Sequence, residues 1–145
     1  MKHTLDLALF PWHEPVVVRW SDFDMLGHAN NALYSTYIEN ARIHYLRQLG
    51  PWPWEVTGMV LARTEMDFVR ELKPQNHPEV YMRVSRIGTK SLDFETFIVE
   101  RDDPTIIYNW AKSVVVAFDK ASKETVAVPA EMREKFLAFE PGLAT

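Results

Sequence analysis

The sequence predicts an α+β domain, with one long helix covered by a single antiparallel sheet. Two observations carry that prediction. A helical pattern runs uninterrupted from the asparagine pair Asn30–Asn31 to Leu49. A β-branched run precedes it, and everything from Val56 to Val128 alternates in short runs divided by turn clusters. The 145 residues contain no internal repeat, low-complexity tract or linker, so residues 1–145 are read as one domain with a single core.

The first expected strand is "PVVVRW", Pro15 to Trp20, a β-branched run. The expected helix begins after Asn30 and Asn31, both good N-cap residues. It stops at "LGPWPW", where Gly50 suits the C′ position, Pro51 cannot continue a helix and Arg47 suits the negative end of the dipole. About 19 residues give a rod of roughly 28 Å. Tyr34, Tyr37, Ile38, Ala41, Tyr45 and Leu49 fall on one stripe at 3.6-residue spacing. "MVLARTEMDFVREL" reads as the next strand, closed by the turn cluster "KPQNHPE". "VYMRVSRIG" and "SLDFETFIVER" alternate with period two; Leu92, Phe94, Thr96 and Ile98 share one face of the latter and Asp93, Glu95 and Phe97 the other. "DDPT" reads as a turn, "IIYNWAKSVVVAFD" as a long strand, "KASKET" as a turn, "VAVP" as a short return strand and "AEMREKFLAF" as a terminal helix.

Composition excludes several classes of function. A net charge of -4 and a pI near 5.7 argue against a nucleic-acid partner, which selects a basic face. With no cysteine there is neither a disulfide nor a thiolate site. The opening "MKHTLDLALFPWHE" is not a signal peptide, and no apolar run is long enough for a membrane span, so a soluble cytoplasmic domain is expected.

The chemistry-bearing stretch is "RWSDFDMLGHANNALYSTYIENAR", Arg19 to Arg42. Its D-x-D-x-x-G start invites a calcium loop, but Leu26 stands at the fifth position and Leu33 at the twelfth, where oxygen ligands are required. Asp22, Asp24 and His28 lack a second histidine at metal-ligand spacing, so no metal is expected. An Asx-rich turn leading into an N-cap explains the asparagines and one aspartate, but not two acids and a histidine together.

These residues and the order of elements resemble the hot-dog fold, and within it the acyl-CoA thioesterases related to hydroxybenzoyl-CoA thioesterase. The family pattern approximates D-x-D-x-x-G-H, a tyrosine, then E-x-A-R, met here by Asp22, Asp24, Gly27, His28, Tyr34, Glu39, Ala41 and Arg42. "SRIGTKSLDFE" resembles its strand–turn–strand, with Gly88, Lys90 and Ser91 in place, and "AKSVVVAFDKASKETVAVP" its last hairpin. The resemblance implies a long central helix wrapped by a curved antiparallel sheet, an acyl-CoA substrate and no cofactor. It further implies at least a homodimer, with a homotetramer as the alternative, and an active site at the subunit boundary. It makes Asp24 the catalytic carboxylate, as general base or nucleophile, and leaves Asp22 to hold the loop. The Asn31 N–H at the positive helix end is the expected oxyanion donor. His28 is read either as positioning Asp24 or as a hydrogen-bonded structural residue. Gly27, Glu39, Lys90 and Ser91 are expected on the substrate side, Lys90 and Ser91 at a CoA phosphate.

There are departures. Asn31 stands where relatives often have an aromatic residue or a histidine. "GHANN" is closer to the acyl-carrier-protein thioesterase branch, although Leu26 replaces that branch's asparagine, and "NHPEV" replaces a common Gly-Asp turn. An acyl-carrier-protein thioesterase is therefore the enzyme alternative, and a non-catalytic acyl-thioester-binding dimer the alternative of another class.

Overall fold

A computed structural model describes residues 2–143. Helix α1 spans Leu33–Gln48 and lies against a five-stranded antiparallel sheet of β1 (Trp12–Pro15), β2 (Thr57–Phe68), β3 (Pro78–Ile87), β4 (Ser91–Glu100) and β5 (Asp103–Asp119), in the order β1-β3-β4-β5-β2. Helix α2, Ala130–Phe139, packs near the C-terminal end of α1, where the Phe136 and Tyr45 rings stack at 6.4 Å. This is the hot-dog arrangement, a curved sheet around one long helix.

The stripe read from spacing is the buried face of α1: Tyr34, Tyr37, Ile38, Ala41 and Tyr45 are core residues, joined by Leu46. Each large apolar side chain so buried stabilises the fold by about 1.5–3 kcal/mol. The sheet meets α1 with Leu92, Phe94 and Ile98 of β4 and Val80, Met82 and Val84 of β3. Phe97 and Val99 point the other way and pack with Phe10 and Ile107 beneath the N-terminal segment. Central strand β4 is thus covered on both faces, which is why Phe97 and Val99 are apolar on the face opposite the helix. Register shifts at Leu61/Arg63 and at Val84/Arg86 add a residue to one strand of a pair, bending the sheet around the helix.

Four features differ from expectation. The first strand is Trp12–Pro15, not Pro15 to Trp20, because His13 and Glu14 pair with Tyr81 and Val80 while Trp20–Asp22 turn as a 3-10 helix. The helix has 16 residues, roughly 24 Å, because it starts at Leu33 with Ala32 at the N-cap, so that neither Asn30 nor Asn31 is the cap. "VAVP" makes no strand: the chain touches β5 at one bridge, Phe118 with Thr125, and then follows Thr89, whose carbonyl accepts from the Val128 N–H. The turn expected at "DDPT" closes earlier, so that Asp103 and Pro104 already belong to β5.

Candidate active site

The two aspartates of D-x-D have opposite environments. Asp22 is 1% exposed and accepts hydrogen bonds from the Arg19 N–H (3.0 Å), Arg19 Nε (3.1 Å) and the Tyr37 hydroxyl (2.8 Å). Burial pushes its carboxyl up, but these hydrogen bonds outweigh burial and hold it below the usual carboxylate value. Its backbone carbonyl accepts from the Asn30 N–H at 3.1 Å, tying the loop to the helix start. The same shared bonds with Asp22 help to raise the Tyr37 hydroxyl far above its ordinary value, after burial as the largest cause. Asp22 is the loop's anchor.

Asp24 begins the small hairpin that Asp22 holds. Its N–H donates to the His28 carbonyl (3.2 Å), its carbonyl accepts from the Gly27 N–H (3.0 Å), and Phe23 bridges Ala29. Gly27 sits at φ +83°, the left-handed conformation that this turn requires. Asp24 Oδ1 accepts from the Leu26 N–H at 2.9 Å, whereas Oδ2 has no partner among the described residues. The carboxylate is therefore oriented, exposed and half free. Downstream, Asn30 Oδ1 caps the Ala32 N–H (2.9 Å), and the Asn30 and Asn31 carbonyls accept from Leu33 and Tyr34. The Asn31 N–H has no acceptor among the described residues. An open N–H at the positive end of a helix can stabilise an oxygen that gains negative charge.

The other expected residues are divided between the two ends of the fold. His28 meets Asp24 through its backbone carbonyl, while its imidazole Nε2 lies 3.8 Å from Glu71. The Ala29 N–H donates to the Leu72 carbonyl at 2.8 Å, so the loop sits beside the segment after β2. Glu39 is exposed on α1, two turns along from the helix start. Lys90 and Ser91 form the β3–β4 turn at the far end of the sheet, where Lys90 Nζ donates to Thr125 Oγ1 at 3.3 Å. Val80, near the Asp24 end, and Ile87, beside that turn, are separated by roughly 23 Å of strand. One protomer does not bring Lys90 to Asp24.

Arg70 and Lys73 do lie at the Asp24 end, flanking an open cleft of about 440 Å³ that Glu71, Asn76 and Tyr108 also line. Neither cation carries a local sequence signal for the site, because the segment that bears them is tied to the loop by the Ala29–Leu72 hydrogen bond. Tyr37 was assigned to the core stripe alone; its bond to Asp22 carried no signal at 15 residues' separation. No group of three or more histidine, aspartate and glutamate side chains is placed to hold a metal among the described residues.

The model of the thioesterase-like superfamily matches residues 18–136, which include the whole loop, α1 and all of β2 to β5. The chain belongs to that superfamily. Its general activity is thioester hydrolysis. The chain is 30% identical over 129 residues to the uncharacterized protein YsmA of Bacillus subtilis, covering 88% of this chain and 86% of that one. It is 30% identical over 126 residues to the chloroplastic acyl-acyl carrier protein thioesterase ATL3 of Arabidopsis thaliana, covering 84% of this chain and 65% of that protein. Among solved structures, a Thermus thermophilus thioesterase complexed with coenzyme A and zinc superposes with a TM-score of 0.79 at 31% identity, covering 91% of this chain and 96% of that one.

Proposed function

We propose that this thioesterase hydrolyses acyl-CoA, with Asp24 as the catalytic carboxylate and the Asn31 N–H as oxyanion donor. The observation that carries this is the pairing of an exposed, turn-held carboxylate with an open N–H at the start of α1. Asp24 takes a proton from water as the water oxygen bonds to the thioester carbon. The carbonyl oxygen becomes an oxyanion facing the helix start; on collapse the carbon–sulfur bond breaks and Asp24 returns the proton to the thiolate sulfur. The products are a carboxylic acid and free CoA. The CoA-bound Thermus relative supports the choice of thiol. The Arabidopsis relative favours an acyl-carrier-protein substrate as the second reading.

The site is completed by a second copy of the chain. Edge strand β2 has its outer backbone edge unpaired and leaves Val60, Leu61 and Phe68 exposed, as a strand does before pairing with its own copy. Antiparallel pairing of two β2 strands sets the Lys90 end of one sheet beside the Asp24 end of the other. The CoA phosphates are then met by Arg70 and Lys73 from one protomer and by Lys90 and Ser91 of the partner subunit.

The test is thiol release from short, long and aromatic acyl-CoAs by the native protein and by Asp24→Asn. Turnover that collapses in the variant supports the assignment. Equal turnover in both proteins overturns the role of Asp24, and no turnover from any acyl-CoA shifts the reading to carrier-protein substrates or to binding alone.

A further inference from the structure

A slot of about 90 Å³ runs between α1 and β2, walled by Ser35, Glu39 and Arg42 on the helix and by Leu61, Thr64 and Met66 on the strand. It starts at Ser35 in the first turn of α1, four residues after Asn31, and reaches Arg42 seven residues later, roughly 10 Å along the helix axis. The bulge between Leu61 and Arg63 turns both Leu61 and Thr64 to the helix side of β2.

The walls are mixed: Ile38, Leu61 and Met66 supply most of the lining, and Ser35, Glu39, Arg42, Thr64 and Ser113 place polar groups along it. Thr64 and Ser113 satisfy one another across the floor at 3.2 Å. The Arg42 guanidinium lies over the Phe94 ring, 5.6 Å from the centroid, and its Nε is buried with no hydrogen-bond partner among the described residues. Glu39, one turn earlier, shares the slot but makes no ion pair with Arg42 within 4.0 Å among the described residues. A buried charged N–H left without an acceptor is costly, so a group that supplies one is bound in strong preference to one that does not.

We propose that Arg42 is a specificity residue that selects acyl groups carrying a hydrogen-bond-accepting oxygen remote from the thioester, over plain alkyl chains of the same length. This rests on the acyl-thioesterase reading above and names its substrate class. With the thioester carbonyl at the helix start, a chain extended along the slot delivers its distal oxygen to Arg42, and an anionic or carbonyl oxygen suits a guanidinium N–H best.

The experiment compares kcat/KM for three acyl-CoAs of equal chain length, one saturated, one with a distal ketone and one with a distal carboxylate. The native protein, Arg42→Met and Arg42→Lys are each assayed, with oligomeric state measured alongside. The expected result is a preference of about tenfold or more for an oxygenated chain, lost in Arg42→Met and only partly restored by Arg42→Lys, whose ammonium keeps the charge without the planar fork. Equal use of all three chains by the native protein overturns the proposal while leaving the thioesterase reading intact. So does an unchanged preference in an Arg42→Met protein that has lost its dimer, because Arg42 then belongs to the contact between copies. Absence of all turnover removes the acyl-CoA reading on which this proposal rests, and the proposal with it.

Discussion

Two aspartates, separated by a single residue, differ in environment: one is buried and holds the loop, and the other is an exposed carboxylate. Asp22 serves as acceptor for Arg19 and Tyr37 in a site that excludes water, so Asp22→Asn is expected to destabilise the fold by about 2–4 kcal/mol, measured by denaturant unfolding. Tyr37→Phe removes one of those donors and is expected to cost about 1 kcal/mol. Asp24 is exposed, so Asp24→Asn leaves stability within about 0.5 kcal/mol but lowers turnover by roughly 10²–10⁴-fold. Reversal of the two outcomes would exchange their roles. The D-x-D spacing announced that two acids were wanted. Which one is buried depends on Tyr37, which reaches the loop only once α1 has packed.

At the scale of elements, the least conventional feature is polarity between α1 and the sheet. Thr96 on β4 is 0% exposed and its hydroxyl has no partner among the described residues; the same holds for the equally buried Asn109 amide on β5. Replacing an unsatisfied hydroxyl by a methyl removes a desolvation penalty without leaving a cavity, so Thr96→Val is expected to be neutral or stabilising by up to about 1 kcal/mol in thermal unfolding. A clear loss of stability would mean that Thr96 has a partner, such as a buried water. Strand β2 offers a different test. Val60 is exposed on an unpaired edge, and Val60→Lys is expected to shift a dimer towards monomer in analytical ultracentrifugation, with thiol release falling in parallel. A monomer that retains full turnover would show that one protomer suffices.

Across the whole molecule, the C-terminal segment is pinned to the central helix by a buried carboxyl. The Tyr45 hydroxyl donates to Glu140 Oε1 at 2.6 Å, and Oε2 is buried without a partner. Burial pushes the Glu140 carboxyl up to about 7, despite opposing hydrogen bonds from Tyr45 and the Val84 backbone and the charge of Arg83. Between its ordinary value near 4.5 and about 7, the folded protein therefore holds a proton that the unfolded chain has released. Stability from this group is complete below the unfolded value and is lost as pH rises through 7. The loss amounts to roughly 3 kcal/mol, several degrees in Tm. Glu140→Gln is expected to flatten that slope and to raise Tm at pH 8, as followed by thermal unfolding across pH 5–8; an unaltered slope would assign the pH dependence elsewhere.

Short-range pattern alone determined the stripe of α1, its stop at Gly50 and the limits of α2 at Ala130–Phe139. Those features rest on helical spacing, backbone freedom and capping, which act over a few neighbouring residues. The first strand was misplaced because its limits depend on pairing with β3, some 65 residues away in sequence. Strand order made β2 an edge, separated Lys90 from Asp24, and brought Arg70 and Lys73 to the loop instead. It also placed Arg42 in the wall of a slot with its Nε buried and without an acceptor among the described residues. Only the tertiary structure decides such matters, because burial and partner choice are set by whichever distant segment packs against a residue.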